Sequence, residues 1–167
     1  MNKKNAPLIT IVPIGGLFVT DKDMIIQTVL GSCVATTLYD SERKIAGMNH
    51  ILLPGTFHKE NVDKMLDEKD LKYGIFSMEK LIASVLNLGA RKDRLEARIY
   101  GGSFVSNSNQ FLEIQKNNVE FVKEFLKMSK IKIVEEITLQ NEALKIFFRT
   151  ESGKVEITRL PNINKNE

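Results

Sequence analysis

The chain has 167 residues, a length that fits one domain with a core large enough to need no disulfide or metal. Hydrophobic residues make up 43% and charged residues 27%, which is typical of a globular protein. A net charge of +3, from 24 Lys and Arg against 21 Asp and Glu, gives no indication of nucleic-acid binding. A single cysteine excludes an internal disulfide, no apolar run reaches the roughly 18 residues of a membrane span, and the first residues make a poor secretory signal. We therefore expect a cytoplasmic protein without membrane insertion.

Nine β-branched or aromatic runs, bounded by Gly, Pro, Asp or Ser, predict strands in chain order. They cover residues 8–12, 17–20, 24–29, 34–39, 44–53, 95–100, 131–139, 143–149 and 154–160. Apolar residues at helical spacing predict helices over 73–88, ending before Gly89, and over 114–128. The polar stretch 56–72 is interpreted as a surface loop. Many strands with two main helices favour an α+β domain over 1–161, with a frayed tail over 162–167.

The only cysteine follows a turn at Gly31 and Ser32, and His50 lies near the end of the next predicted strand. If strands 34–39 and 44–53 form an antiparallel hairpin, Cys33 and His50 meet at the same end. A thiol beside an imidazole is the pair needed for nucleophilic attack on an amide or ester. The alternative is a buried cysteine that only packs, which is the commoner fate of a free thiol.

Five motifs stand out along the chain: Leu-Gly-Ser-Cys-Val at 30–34, Gly-Met-Asn-His at 47–50, Leu-Pro at 53–54, Gly-Gly at 101–102 and Thr-Glu-Ser-Gly-Lys-Val at 150–155. Together they resemble the CheD family, the chemoreceptor glutamine deamidases of bacterial chemotaxis. The likeness spans nearly the whole chain, and the order and separation of the cysteine and histidine motifs are specific.

The resemblance implies a layered α+β sandwich of mixed sheets, similar to the cytotoxic necrotizing factor deamidases. It implies hydrolysis of glutamine side-chain amides on the cytoplasmic helices of chemoreceptors, with Cys33 as nucleophile and His50 as general base. Some members of the family also bind a CheC-type phosphatase. Nothing in the resemblance requires a cofactor or metal.

The chain departs from the family pattern at four places. Gln27 stands where the family has a threonine six residues before the cysteine, so Gln27 is the candidate third catalytic residue. Thr28 or a backbone carbonyl could orient His50 instead, and this choice stays open. The other departures are Gln and Asn at 115 and 117 in place of Gly and Arg, Leu-Gln-Asn at 139–141 in place of Gly-Gly-Asn, and Ser-Phe-Val-Ser at 103–106 in place of Ala-x-Met-Phe. These concern substrate docking and the choice of partner.

The chemistry predicts an ion pair in which a His50 imidazolium lowers the pKa of the Cys33 thiol from about 8.5 to about 6. The sulfur is expected within hydrogen-bond reach of the ring, or slightly farther without substrate. The N–H groups of Ser32 and Cys33 are the candidate oxyanion donors. His58, in the polar loop, is expected to be a solvated residue.

Three rival hypotheses remain beside receptor glutamine deamidation. The first is a weakly catalytic or non-catalytic module that regulates a CheC-type phosphatase, which the changes at Gln27 and near Ile114 favour. The second is hydrolysis of receptor methyl esters by the same groups. The third is a small α+β protein with an inert buried thiol.

Overall fold

The computed structural model describes residues 5–52, 68–105 and 112–161, and for 68–72 the backbone alone. Nine strands and two helices lie within these ranges. The strands are β1 (Leu8–Ile11), β2 (Leu17–Thr20), β3 (Met24–Leu30), β4 (Val34–Asp40), β5 (Ile45–Asn49), β6 (Glu96–Gly101), β7 (Lys132–Thr138), β8 (Ala143–Arg149) and β9 (Val155–Leu160). The helices are α1 (Glu68–Asn87) and α2 (Leu112–Met128), and a short 3-10 helix, Lys92–Arg94, precedes β6.

The strands form two mixed sheets. The four-stranded sheet has the order β1-β3-β8-β9, and the five-stranded sheet has the order β2-β5-β4-β6-β7. The β1–β3 and β6–β7 pairs are parallel, and the other neighbours are antiparallel. Consecutive strands therefore belong to different sheets at several points, so residues close in sequence can face each other across the sandwich.

The sheets and helices make three layers. Helix α1 packs on β2 and β5, and α2 packs on β4, β6 and β7, so both helices cover the same sheet. One apolar cluster, including Leu38, Leu81 and Ile99, lies between the helices and the five-stranded sheet. A second cluster, including Ile26 and Phe148, lies between the two sheets. The predicted α+β layered sandwich is confirmed, whereas its likeness to cytotoxic necrotizing factor deamidases stays a prediction.

Strand β4 lies at the centre of the molecule, and all seven of its residues are buried. Burial on both faces leaves its polar side chains dependent on protein partners. The Thr36 N–H donates to Asn49 Oδ1 at 3.0 Å. The Asp40 carboxylate accepts from Arg94 Nη2 at 2.9 Å and from the N–H of Arg91 at 2.9 Å. The strand thus begins at the candidate site and ends at a partly buried ion pair, while the Thr37 hydroxyl is buried with no hydrogen-bond partner among the described residues.

Two predicted boundaries differ from the structure by more than two residues. Helix α1 begins at Glu68, so residues 68–72 are helical and not part of a loop, while 56–67, with His58, lie outside the described residues. Strand β5 ends at Asn49, after which Ile51 forms an isolated bridge with Val34. The predicted frayed tail, 162–167, also lies outside the described residues. Neither α1 nor α2, within the described ranges, combines the length and hydropathy of a membrane-crossing helix.

Candidate active site

The β4–β5 hairpin brings Cys33 and His50 to one end of the five-stranded sheet. Thr37 pairs with Met48, and the same register continues to Val34 and Ile51, whose N–H groups and carbonyls exchange hydrogen bonds of 2.9 and 2.8 Å. Side chains alternate between faces, so Cys33 and His50 lie diagonally across the hairpin on the face opposite Val34 and Ile51. That face packs on the four-stranded sheet. The predicted antiparallel hairpin is therefore confirmed.

The imidazole of His50 is held from the opposite sheet. Thr28 Oγ1 lies 2.8 Å from His50 Nδ1, and the Val12 carbonyl oxygen lies 3.3 Å from the same nitrogen. The single hydroxyl proton of Thr28 is donated to Val12 O at 2.8 Å. Because both neighbours then present lone pairs to Nδ1, we assign the proton of the neutral ring to Nδ1. This tautomer leaves Nε2 with a free lone pair.

Nε2 is the ring nitrogen that this arrangement leaves without a partner in the described structure. It is buried and has no hydrogen-bond partner among the described residues. The Cys33 thiol therefore makes no hydrogen bond to Nε2, and the expected closeness of the sulfur to the ring stays a prediction. Catalytic hydrogen bonds are often long in substrate-free sites and tighten when substrate is bound.

Thr28, and not Gln27, contacts His50, so the sequence choice of Gln27 as the orienting residue is wrong. Along β3, the side chains of Ile26, Thr28 and Leu30 are buried toward the other sheet. Gln27 is only partly buried and Val29 is exposed, so both lie on the outer face. Neighbouring residues of a strand point to opposite faces, so only one of Gln27 and Thr28 can face the other sheet and reach the His50 ring.

Both members of the candidate pair are buried, with Cys33 7% and His50 3% exposed. Burial raises the pKa of the Cys33 thiol, and the residue's own N–H offsets part of that rise. Burial lowers the pKa of His50, and the Val12 carbonyl offsets part of that change. Burial disfavours the charged form of each group and therefore favours a neutral thiol and a neutral imidazole in the resting pair. The expected thiolate–imidazolium ion pair is therefore not the state that the structure supports.

The turn that follows β6 forms hydrogen bonds to the turn that carries Cys33. The Gly102 N–H donates to Cys33 O at 2.7 Å, and the Ser103 N–H donates to Gly31 O at 2.8 Å. In the described part of the chain, the N–H groups of Ser32 and Cys33 donate to no backbone carbonyl. The oxyanion role of these two groups stays a prediction.

The loop between β1 and β2 fixes the backbone of His50 from the other side. The Gly15 N–H donates to His50 O at 2.8 Å, and the His50 N–H donates to Gly16 O at 3.0 Å. The sequence indicated only a strand break at this glycine pair, because its pairing with a residue far along the chain has no local pattern. Among the described residues, no group of three His, Cys, Asp or Glu side chains is arranged to hold a metal ion.

Comparisons with known proteins bear on this geometry. A family described as CheD chemotactic sensory transduction matches residues 52–159. A Shewanella oneidensis protein named "Probable chemoreceptor glutamine deamidase CheD 1" is 40% identical over 154 residues, which cover 91% of this chain and 72% of that protein. Proteins of Dechloromonas aromatica and Herminiimonas arsenicoxydans, both named as probable chemoreceptor glutamine deamidases, are 36% and 35% identical over 91% of this chain and 73% of theirs.

Solved structures show weaker likeness. A hypothetical protein of Bacillus licheniformis matches with a TM-score of 0.48 and 14% identity, over 75% of this chain and 51% of that one. A Neisseria meningitidis protein of the DUF152 family matches with a TM-score of 0.49 and 10% identity, over 81% of this chain and 65% of that one. The family match and the relatives, which extend over most of the sequence, lead to one conclusion: the chain belongs to the CheD family.

Proposed function

We propose that this chain hydrolyses the side-chain amides of selected glutamines on the cytoplasmic helices of chemoreceptors, giving glutamate and ammonia through a thioester on Cys33. The observation that carries the proposal is the contact of Thr28 Oγ1 and Val12 O with His50 Nδ1, which leaves Nε2 without a described partner on a ring that shares its hairpin face with Cys33. The names of the relatives supply the substrate class. The proposal places the protein in the cytoplasm, as one domain over 1–161, without a cofactor or metal.

The acylation step uses the neutral pair directly. His50 Nε2 accepts the thiol proton as the Cys33 sulfur attacks the carboxamide carbon, which needs no thiolate beforehand. The N–H groups of Ser32 and Cys33 stabilise the oxyanion, and each such donor typically lowers the activation barrier by about 3 kcal/mol. Collapse of the tetrahedral intermediate breaks the C–N bond, and the protonated His50 gives its proton to the departing ammonia.

The deacylation step regenerates the thiol. His50 Nε2 accepts a proton from water, the resulting hydroxide attacks the thioester carbon, and the C–S bond breaks. The sulfur takes back the proton, and the product glutamate leaves. Thr28 keeps the Nδ1 proton in place through both steps, so that Nε2 alone exchanges protons.

The test incubates the purified protein with receptor cytoplasmic fragments. We expect a mass gain of about one dalton at each modified glutamine, together with release of ammonia. Cys33→Ala and His50→Ala should abolish the gain while leaving the thermal unfolding cooperative. No gain with any receptor fragment would reject the proposal, and release of methanol from methylated fragments would assign ester hydrolysis instead.

A second candidate is a module that binds a CheC-type phosphatase and has little catalytic activity. The observation that favours it is the burial of the Cys33 thiol, which is 7% exposed and makes no hydrogen bond to His50 Nε2 in the described structure. Wild-type protein that binds such a phosphatase, and leaves every receptor fragment unchanged in mass, would support this candidate.

A further inference from the structure

Helix α2 holds the turn that follows β6. Gln115, in the first turn of α2, is 3% exposed, and its Nε2 donates to Ser103 O at 3.0 Å. A carbonyl oxygen can only accept, so this bond fixes which end of the Gln115 amide faces the turn. Gly102 fits closely against the same helix, because a Cβ added there would lie 2.7 Å from Val119 Cγ2. The turn therefore lies between α2 and the turn that carries Cys33.

The backbone of Ser103 joins these two contacts. Its carbonyl accepts from Gln115, and its N–H donates to Gly31 O at 2.8 Å. Gly31 O belongs to the planar, trans peptide group that also contains the N–H of Ser32, and in such a group the C=O and N–H bonds point in opposite directions. A partner on Gly31 O therefore fixes the direction of the Ser32 N–H. Two hydrogen bonds thus connect Gln115 with a candidate oxyanion donor.

The turn after β6 also fixes the far side of the cysteine. The Gly102 N–H donates to Cys33 O at 2.7 Å, so the peptide group that follows Cys33 is held as well. The peptide group between Ser32 and Cys33 lies between these two fixed groups, which limits its rotation. Both candidate oxyanion donors are therefore oriented by a turn whose own position depends on α2.

The amide of Gln115 is a costly group at a buried position. Its Oε1 has no hydrogen-bond partner among the described residues, and the same holds for the Ser103 hydroxyl and for both polar atoms of the Asn118 side chain. An apolar side chain of similar shape at position 115 would avoid the cost of burying an unpaired polar atom. Within the described ranges, the Gln115 side chain makes its hydrogen bond to Ser103 O alone. The value of the amide is therefore in orienting the turn.

We propose that Gln115 is a positioning residue of the candidate site, which sets the direction of the Ser32 N–H by holding Ser103 O. Gln115 acts only through the backbone of Ser103 and Gly31, and no covalent bond to it forms or breaks. The structural part of this inference concerns the turn alone. The catalytic part, an oriented donor for the tetrahedral intermediate, rests on the proposed function.

Amide hydrogen exchange, measured residue by residue with NMR, tests the structural part. Gln115→Met keeps the length of the side chain and removes the N–H donor. We expect the Ser103 N–H to exchange about tenfold faster than in wild type, because one supporting hydrogen bond is lost. The matched control is Gln140→Met, since Gln140 Nε2 also donates to a backbone carbonyl at 3.0 Å, that of Thr138. Unchanged exchange at Ser103 in Gln115→Met, or equal acceleration in the control, would overturn the proposal.

Deamidation of receptor fragments tests the catalytic part. Gln115→Met should lower kcat about tenfold and leave KM within about twofold of wild type, since an oxyanion donor acts in the transition state. Gln140→Met should retain both constants. A raised KM with unchanged kcat would overturn the catalytic role, because it would indicate a contribution to docking instead.

The two measurements separate this inference from the proposed function. If wild type deamidates nothing, the proposed function fails, whereas exchange at Ser103 still decides whether Gln115 holds the turn. Gln115→Ala removes the same donor without the bulk of methionine, so it should give the same changes if Gln115→Met does not fold. Wild-type exchange and wild-type kcat in Gln115→Ala would contradict the proposal.

Discussion

Thr28 determines which nitrogen of His50 can act as a base. Its hydroxyl proton is committed to the Val12 carbonyl, so its oxygen accepts from Nδ1 and leaves Nε2 unprotonated. The sequence predicted that Cys33 and His50 lie at the same end of one hairpin, because Cys33 precedes its first strand and His50 lies near the end of its second. It named Gln27 and left Thr28 or a backbone carbonyl as open alternatives, because this contact crosses from one sheet to the other and depends on a register that no local pattern records.

Removing the Thr28 hydroxyl should impair catalysis more than stability. We expect Thr28→Ala to lower kcat/KM about tenfold or more, since the loss of an orienting hydrogen bond is of order 1.4 kcal/mol. Thr28→Ser retains the hydroxyl and should recover most of the activity. Gln27→Ala is the adjacent control and should retain the wild-type rate. A reduced rate in Gln27→Ala with a normal rate in Thr28→Ala would reverse our assignment.

The lowered pKa of His50 should set the pH below which the rate of the proposed reaction falls. Burial favours the neutral ring, so the base remains unprotonated below the usual His pKa of about 6.5. We expect kcat/KM to stay level as the pH falls to about 6.5, and to decline only at lower pH. A pH profile of kcat/KM on a receptor fragment checks this. A decline with its midpoint above the usual value would indicate that the imidazole is charged in the resting site.

At the scale of elements, the turn after β6 supports the turn after β3. Gly101 has a φ of +102°, and a Cβ added there would lie 2.2 Å from Cys33 O. Gly101 therefore needs a glycine for two reasons, its left-handed backbone and the close approach of the Cys33 carbonyl. A pair of glycines after a strand is visible in sequence, but the element that the turn contacts is not.

Adding a methyl group at Gly101 should displace the turn that carries Cys33. We expect Gly101→Ala to lower the unfolding free energy by about 2 kcal/mol or more and to abolish most activity. Gly89→Ala is the matched control, because Gly89 has a φ of +109° but its added Cβ would meet only Ile45 at 3.8 Å. This control should lose about 1 kcal/mol and retain activity. Denaturant unfolding and the deamidation assay together check both variants, and an active Gly101→Ala would contradict the account.

The helices were predictable because their apolar faces repeat at helical spacing, as at Met78, Leu81 and Val85, all of which are buried. The start of α1 was not, because its first residues, Glu68 to Lys72, carry charges and lack an apolar repeat. The end of β5 was also missed, because the hairpin continues past Asn49 only as one bridge at Ile51. The pattern thus located the buried parts of elements better than their ends.

At the scale of the molecule, the sandwich is assembled from strands that alternate between sheets. The sequence predicted strands and an α+β class, but the parallel pairs β1–β3 and β6–β7 join segments separated by other elements. Strand β4 illustrates the difficulty: its Thr36, Thr37 and Asp40 are polar, yet they are buried because both faces are covered. Such burial is a property of the assembled layers and leaves no alternation in the strand.

Asp40 anchors the end of β4 that lies away from Cys33. Burial would raise the pKa of its carboxyl, but Arg94 and the N–H groups of Arg91 and Arg43 together hold the pKa below its usual value. A lowered carboxyl pKa stabilises the fold above the unfolded-state value, about pH 4, and this contribution is lost as the pH falls below it.

Neutralising Asp40 should therefore destabilise the protein and reduce its sensitivity to acid. We expect Asp40→Asn to lower the unfolding free energy at neutral pH by about 3 kcal/mol, as for breaking a buried ion pair. The difference from wild type should shrink between about pH 5 and about pH 3. Asp93→Asn, in an exposed pair with Arg91, is the control and should change little. Urea unfolding across this pH range checks the prediction, and a constant difference would refute it.

His50, the base of the proposed reaction, lies at the interface between the two sheets and is held from both sides. Its main chain is woven into one β-layer, whereas the hydroxyl and carbonyl that fix its proton come from the other. A brief separation of the two sheets, even with both sheets intact, would free the imidazole to rotate and allow its proton to move from Nδ1 to Nε2. The rate of the proposed hydrolysis should therefore report how tightly the two sheets pack against each other.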